Sequence, residues 1–347
     1  MRVLFVDDAT EGDAMSSPPT DLRRSEEYSE WHHFTLCDDT NGLYGIFNLA
    51  MSGNVHDASK ARAGVSLAIY ERNRGWHGTM NLHPFERTRA TPGCVDLVIG
   101  ENMVRYENGR YEVSGSLKDG SAALSATWTP RTTPLRVDRL GGVVNTFILP
   151  SLRVDGRLDL RGRRYELRNI TGYHDHNWGV WGWGGDLRWN WGYVIQAPSR
   201  RRGKDAPLSL VFGRVISGRN GSTSSDAALG VWLGKRCAQI FLGETVEIST
   251  SGVLEGVNVP RTPGVMAFLA PGQPSDIPRH MALKAHEAGD SVEVEFDVEA
   301  AMQFLIPHPS DPGHTTITEL VGQYNIRTVL DGETRNFTYH GFAEVAR

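Results

Sequence analysis

Residues 172–193 read GYHDHNWGVWGWGGDLRWNWGY and contain five of the nine tryptophans of the chain. The indole N–H of a buried tryptophan needs a hydrogen-bond partner. Tryptophans that stand beside His, Asp and Asn therefore indicate a shaped, mostly apolar pocket on which a few polar groups converge. We take this segment as the candidate site and analyse the rest of the chain outward from it.

The sequence on both sides of this segment has the hydrophobic periodicity of β-strands. From Glu26 onward, apolar and polar residues alternate, and Gly, Asn, Asp or Pro recurs about every ten residues. Residues 291–304 predict a strand with one wet face, and a helical turn or two is predicted only for residues 57–65. Hairpin turns are predicted at 71–75, 108–109, 161–162 and 331–332. The pattern predicts an all-β protein.

The length of 347 residues exceeds what one hydrophobic core usually supports, so we predict two domains. Residues 1–24 predict a flexible leader with one short strand, followed by antiparallel barrels at 25–165 and 166–347, the second carrying the YHDHNWG motif. Two β-sandwiches explain the alternation nearly as well. Residues 31–49 and 177–196 resemble each other, which favours a duplication in which each segment is the opening hairpin of a domain.

Composition narrows the class of partner. The net charge of -5 does not suit a nucleic-acid or anionic-membrane binder, and three separated cysteines predict neither a disulfide framework nor a zinc site. The start of the sequence does not resemble a secretory signal, and no stretch has the roughly 18 apolar residues of a spanning helix, so a cytoplasmic location is predicted. Hydrolase elbow and phosphate-loop motifs are absent, and the sequence leaves the oligomeric state open.

The YHDHNWG segment has two faces if it is extended. Tyr173, Asp175 and Asn177 then share one face, while the other face carries His174, His176 and Trp178. Two histidines on one face suit a metal ion, but no second pair of ligands has a comparable spacing, so we predict no metal and no cofactor. The structural alternative is that His and Asp side chains tie adjacent barrel strands together through buried hydrogen bonds.

Downstream, Trp189, Trp191 and Tyr193 recur with period two and predict an aromatic stripe on one strand face. Tryptophan faces stabilise cations, and a carboxylic acid desolvated among them has a raised pKa and stays protonated. Such an acid can protonate an alkene. Asp175 and Asp186 are the acids within the cluster, and His176 can hold or reload the donor.

The residues YHDHNWG, followed by a Trp/Gly-rich hairpin, resemble the signature of the carotenoid 1,2-hydratase (hydroxyneurosporene synthase) and AttH-like superfamily. Residues 27–34 are similar to the opening strand of that superfamily. The resemblance implies two lipocalin-like barrels, the plan shared by fungal lipocalin-like pericyclases, and cofactor-free chemistry on a long apolar unsaturated substrate. The family's motif positions that the resemblance carries over to this chain are Asp175, His176, Asn177 and Trp178. The GVWGWGG segment is richer in tryptophan than expected for the hydratases, so a smaller terpenoid or polyketide substrate is equally consistent.

We therefore predict an enzyme, a lyase of the hydratase type or an isomerase or cyclase, that acts on a hydrophobic small molecule in an aromatic-lined barrel pocket. The predicted catalytic residues are Asp175, His176 and Asp186. The predicted substrate-binding residues are Tyr173, His174, Asn177, Trp178, Trp181, Trp183, Trp189, Trp191 and Tyr193. The alternative is a non-catalytic lipocalin-like carrier of a hydrophobic ligand, and a third hypothesis makes the His-Asp-His run a structural clasp.

Overall fold

The computed structural model describes residues 1–6, 13, 21–183, 187–195, 206–219, 222–264, 276–308 and 313–347. Within these ranges the protein is built from β-strands and three short 3-10 helices, Leu22–Arg24, Phe85–Arg87 and Gly243–Thr245. None of the described helices has the length and apolar character needed to span a membrane. The all-β class and the two lipocalin-like units predicted from the sequence are confirmed.

The chain divides into two compact units, Met1–Gly182 and Trp183–Arg347, here called the N-terminal and C-terminal units. The predicted boundary near residue 165 falls instead within a strand of the N-terminal unit. That strand, Arg163–Val180, carries the whole YHDHNWG motif and pairs along its length with two other strands of the same unit. Its backbone hydrogen bonds therefore place the motif in the first unit, and the assignment of the motif to the second barrel is corrected.

The N-terminal unit contains thirteen strands in one sheet. They are β1 (Arg2–Phe5), β2 (Tyr28–Asp38), β3 (Leu43–Gly53), β4 (Ala61–Glu71), β5 (Gly75–His83), β6 (Thr88–Ala90), β7 (Asp96–Ile99), β8 (Asn102–Glu107), β9 (Arg110–Ser116), β10 (Ala122–Pro130), β11 (Leu135–Leu140), β12 (Val144–Leu160) and β13 (Arg163–Val180). The main path runs β5-β4-β3-β2-β13-β12-β10-β9-β8-β7-β6, and β1 joins β12 through β11. Strands β4 and β7 are far apart on this path, yet Leu67 and Leu97 belong to one core. The sheet therefore coils around that core.

The C-terminal unit repeats this plan with ten strands. They are β14 (Leu187–Ile195), β15 (Leu208–Arg219), β16 (Ser222–Leu233), β17 (Arg236–Leu242), β18 (Val246–Ser251), β19 (Arg261–Thr262), β20 (His280–Glu287), β21 (Asp290–Pro307), β22 (His314–Leu330) and β23 (Glu333–Ala346). The path runs β17-β16-β15-β14-β23-β22-β21-β20-β18, and the short β19 pairs with β21 in parallel. Phe241 and Ile248, from the two ends of the path, meet in a second core.

The predicted hairpins are present and have a local cause. The two-residue turns Asn108-Gly109, Arg161-Gly162 and Asp331-Gly332 all have positive φ at both positions, which is the geometry of the tight turn that matches strand twist. Strands β4 and β5 form the fourth predicted hairpin. On β21, apolar residues at 292–298 alternate with exposed acids, as predicted.

Two other sequence predictions are wrong. Residues 58–60 form a turn that leads directly into β4, so no helix occurs there. The segment 177–196 is not a hairpin, because β13 pairs with β2 and β12 whereas β14 pairs with β15 and β23. The similarity to residues 31–49, which do form the β2–β3 hairpin, therefore reflects composition and not a shared position in the fold.

Candidate functional site

The YHDHNWG motif is an extended stretch of β13 with two chemically different faces. Trp178 packs into the core of the N-terminal unit, and the ring of His174 stacks on Phe34 of that core at 4.0 Å between centroids. His176 lies on the same face, directly opposite His32 of β2. We call this face of β13, with His174, His176 and Trp178, the core-side face. Tyr173, Asp175 and Asn177 form the opposite face.

On the opposite face, Asp175 is the shared acceptor of two hydrogen bonds. Tyr173 donates its hydroxyl to Oδ2 at 2.7 Å, and Asn177 donates its amide to Oδ1 at 2.5 Å. All three side chains are buried. The predicted face of Tyr173, Asp175 and Asn177 thus exists, and hydrogen bonds to Asp175 hold it together.

The core-side face of β13 is joined to a carboxylate that the sequence analysis placed in a flexible leader. Asp13 is 1% exposed. Its Oδ1 lies 2.8 Å from Nδ1 of His176, and its Oδ2 lies 3.3 Å from Nε2 of His174. Tyr111 donates its hydroxyl to the same Oδ2 at 2.7 Å. Although burial opposes its charge, the hydrogen bonds from the two histidines hold the pKa of Asp13 well below its usual range.

His176 is bridged between two carboxylates. Its Nε2 lies 3.1 Å from Oε1 of Glu30. The other oxygen, Oε2, accepts a hydrogen bond from the hydroxyl of Tyr28 at 2.5 Å and one from Arg23 at 3.0 Å. Burial would lower the pKa of His176, but the hydrogen bonds to Asp13 and Glu30 raise it to about 9. Burial would raise the pKa of Glu30, but His176 and Arg23 hold it at about 2. Glu30 lies on β2, next to β13, so this pair ties adjacent strands together as the structural interpretation describes.

Neighbouring histidines on β2 are neutral. Burial, followed by the positive charge of His176, holds the pKa of His32 well below its usual range. Burial, followed by the charge of His174, lowers the pKa of His33 to about 3. We call the hydrogen-bonded set of Asp13, Glu30, His174 and His176 the core-side network. In this network His176, whose pKa is raised, carries positive charge, whereas the adjacent His32 and His33 do not.

In the C-terminal unit, the aromatic stripe predicted on β14 is present but lies outside the barrel core. Gly192 and Val194 face that core, where Phe212 lies against Gly192. The predicted set Trp189, Trp191 and Tyr193 occupies the other face, and these side chains are buried or half-buried. Within the described residues of the C-terminal unit, apolar side chains of the core occupy the interior, so this aromatic stripe does not line it.

Two glutamates that the sequence analysis missed lie on this outer face of the C-terminal unit. Glu319 of β22 and Glu344 of β23 are directly opposite each other, and their carboxylate oxygens lie within 4.8 Å of one another. Trp189 donates its indole N–H to Glu344. Burial raises the pKa of Glu344, and hydrogen bonds with Glu319 and Trp189 offset only part of this effect. Two neighbouring carboxyl groups that are removed from water share a proton more readily than both ionise.

The remaining predicted residues are divided between the units. Trp181 packs edge-on against Trp31 in the N-terminal unit at 5.6 Å between ring centroids. Trp183 packs edge-on against Trp189 in the C-terminal unit at 6.3 Å. Asp186 lies outside the described residues.

A sequence signal for Glu319 and Glu344 exists. Each is a single acid inside an apolar run, in ITELV and GFAEV.

Two cavities lined by described residues have largely polar walls. One in the C-terminal unit, of about 830 Å³, is lined by Arg214, Asp226, Glu247 and Lys284, among others. Another in the N-terminal unit, of about 360 Å³, is lined by Glu71, Arg72 and neighbouring polar residues. Neither cavity has the apolar character that a polyene substrate requires.

Comparison of the chain with known proteins gives matches at the level of structure. No protein-family model matches the sequence. No curated protein matches it either. An AttH-like protein of Nitrosomonas europaea superposes with a TM-score of 0.60 at 13% identity, over 95% of this chain and 94% of that one. Kievitone hydratase of Nectria haematococca gives 0.57 at 11% identity, over 98% and 96%. CghA in complex with Sch210972 gives 0.57 at 12% identity, over 93% and 88%. The chain thus has the two-unit lipocalin-like fold of the AttH-like proteins.

Proposed function

We propose that this protein is an enzyme that protonates an apolar unsaturated substrate and completes a hydration, an isomerisation or a cyclisation without a cofactor. The substrate class is a terpenoid, a carotenoid-like molecule or a polyketide. The observation that carries the proposal is the Glu319–Glu344 pair next to Trp189. Burial raises the pKa of Glu344, one carboxyl group of this pair, beside the Trp189 indole; a protonated carboxyl of this kind was predicted at Asp175 or Asp186.

The chemistry follows from the charge of the pair. Neutral Glu344 donates its proton to one alkene carbon, and the positive charge that develops on the neighbouring carbon is stabilised by the indole faces of Trp189 and Trp191. In a hydration, a water oxygen bonds to that carbon and the water loses one proton to the Glu344 carboxylate, which restores the acid. In an isomerisation or cyclisation, the final proton comes from a C–H bond of the substrate. Each cycle returns the pair to its starting state.

Two of the residues predicted to be catalytic have no step in this mechanism. Asp175 accepts hydrogen bonds from Tyr173 and Asn177. His176 lies between Asp13 and Glu30 in the N-terminal unit. The catalytic assignment of Asp186 is kept as predicted.

Similarity to a named hydratase supports the general kind of reaction. Kievitone hydratase shares this fold, as the superposition over nearly the whole chain indicates. The resemblance of the YHDHNWG motif to carotenoid 1,2-hydratases supports an unsaturated apolar substrate. The substrate itself has to come from experiment.

The test compares wild type with Glu344→Gln, which keeps the shape of the side chain and cannot donate a carboxyl proton. Each protein is titrated with a panel of polyenes and terpenoids by tryptophan fluorescence, and the mixtures are analysed by mass spectrometry in H2O and D2O. Glu293→Gln is the matched control, because Glu293 is exposed on β21. We expect quenching in all three proteins and a product, one deuterium heavier in D2O for an isomerisation, only in wild type and the control.

The other outcomes separate the alternatives. Quenching without product in wild type favours the carrier for the compounds in the panel. Product formation by Glu344→Gln at the wild-type rate removes Glu344 from the reaction and leaves Asp175 as the residue to test next. Activity that depends on Glu344 also declines as the pH rises through the raised pKa of this group, because the acid form is lost.

A further inference from the structure

The core-side network of the N-terminal unit contains a ligand set for a metal ion. The Asp13 carboxylate and one ring nitrogen each of His32 and His176 lie within 4.8 Å of one another. These side chains are 1%, 3% and 2% exposed. Imidazole nitrogens and a carboxylate oxygen are ligands that zinc-class ions take in proteins.

His32 supplies an independent indication of a ligand. Its Nδ1 is buried and, within the described ranges, has no hydrogen-bond partner. The ring is stacked on His176 at 3.9 Å between centroids. A buried nitrogen without a partner costs free energy, and such groups are rare in folded proteins.

His174 points to the same position by its hydrogen bonds. Its Nδ1 lies 3.0 Å from the backbone carbonyl oxygen of His33, which can only accept, so Nδ1 carries a proton. Its Nε2 lies 3.3 Å from Oδ2 of Asp13, so a third imidazole borders the carboxylate of this ligand set.

The outer contacts of His176 have the pattern found around metal-binding histidines. Its Nδ1 faces Asp13, and its Nε2 can donate to Glu30 at 3.1 Å. Glu30 is itself fixed by Tyr28 and Arg23. A ligating histidine commonly donates its second ring N–H to a carboxylate, which sets the tautomer and the orientation of the ring.

We propose that Asp13, His32 and His176 bind a divalent transition-metal ion of the zinc class, with His174 beside the site. Ligand atoms in a tetrahedral zinc site lie about 3.4 Å apart, as bonds of about 2.0–2.2 Å require, and the candidate atoms of these three residues lie within 4.8 Å of one another. The ion is structural. It fastens residue 13 to β2 and β13, and it is independent of the reaction proposed for the C-terminal unit.

The test uses the full-length chain purified without an affinity tag that binds metals. Metal content is measured by mass spectrometry, and chelator-treated protein is titrated with Co²⁺ while visible d–d absorption and thermal unfolding are recorded. We expect one equivalent per chain, intense absorption of tetrahedral Co²⁺ and a higher Tm in the loaded protein. Competition with Zn²⁺ should abolish the absorption.

Four variants locate the ion. His32→Gln and Asp13→Asn should weaken Co²⁺ binding more than Glu30→Gln, for which the expected loss is about 10- to 100-fold because Glu30 acts through His176. His83→Gln is the matched control, since His83 is a partly buried histidine of β5 and should bind Co²⁺ like wild type. If folded wild type gives no saturable absorption at one equivalent, the proposal is overturned whatever the variants do. Equal affinity in His32→Gln and wild type overturns it as well, and the cluster is then a proton-sharing network.

Discussion

The Asp175 carboxylate illustrates how hydrogen bonds change a prediction made from residue type alone. Asparagine at this position presents an NH2 group where one acceptor oxygen lay, so either Tyr173 or Asn177 loses its acceptor. We expect Asp175→Asn to lower the free energy of unfolding by about 1–3 kcal/mol. Urea denaturation measures the loss. Asp57→Asn is the control because Asp57 is only half-buried, and equal stability of the two variants would contradict the hydrogen-bond account.

The raised pKa of Glu344 makes a prediction about stability that does not require a substrate. The folded chain keeps a proton that the unfolded chain releases above about pH 4.3. Unfolding free energy therefore falls as the pH rises towards the folded pKa, by at most about 1.4 kcal/mol per pH unit. Glu344→Gln cannot titrate, so its stability should fall less steeply than that of wild type or Glu293→Gln. Parallel profiles from denaturant titrations at several pH values would show that the carboxyl pair ionises freely.

The sequence could predict the kind of acid but not its position. A protonated carboxyl among tryptophans was expected, and Trp189 was one of the predicted tryptophans, yet the acid beside it comes from β23, far along the chain. Strand alternation tells which residues share a face on one strand. It does not tell which strands become neighbours, so Glu319 and Glu344 could not be paired before the register was known.

At the scale of the strand, the close contact between β14 and β15 depends on a glycine. Trp191 lies opposite Gly213, and a Cβ at position 213 would be 2.2 Å from Cε3 of the indole. We expect Gly213→Ala to displace Trp191, to shift the tryptophan emission and to weaken ligand quenching. Gly218→Ala on the same strand is the matched control, because a Cβ there meets no atom within 4 Å. Identical emission spectra for the two variants would contradict this placement of Trp191.

Element prediction succeeded where the signal was local. The Asn108-Gly109 and Asp331-Gly332 turns fix both chain direction and register through backbone conformation that short sequences encode. The 57–65 segment failed because its spacing of apolar residues fits a helix as well as the turn and strand that form, and pairing of β4 with β3 decides between them. The predicted boundary at residue 165 failed for a similar reason, because that residue lies within the long strand β13.

For the whole molecule, the largest departure from the sequence analysis is the role of the first residues. They were predicted to form a flexible leader with one short strand. The strand is present as β1, which pairs with β11, but Asp13 lies in the core-side network. Asp13 belongs to a segment of mixed charge, and its partners His174 and His176 are far away in sequence. Only closure of the sheet around its core brings them together, so local sequence could not reveal this contact.

This arrangement predicts that the first residues contribute unequally to stability. Removal of residues 1–6 deletes the β1 ladder and should cost little, because β1 is a short edge strand. Removal of residues 1–20 also deletes Asp13 and leaves His176 with Glu30 as its remaining carboxylate. A buried charge that loses a partner is costly, so this truncation should lower the free energy of unfolding by about 3–5 kcal/mol more. Denaturant midpoints of both truncations and of full-length Asp13→Ala measure the difference. Asp13→Ala should reproduce most of the additional loss, whereas equal midpoints for the two truncations would mean that Asp13 does not hold the network together.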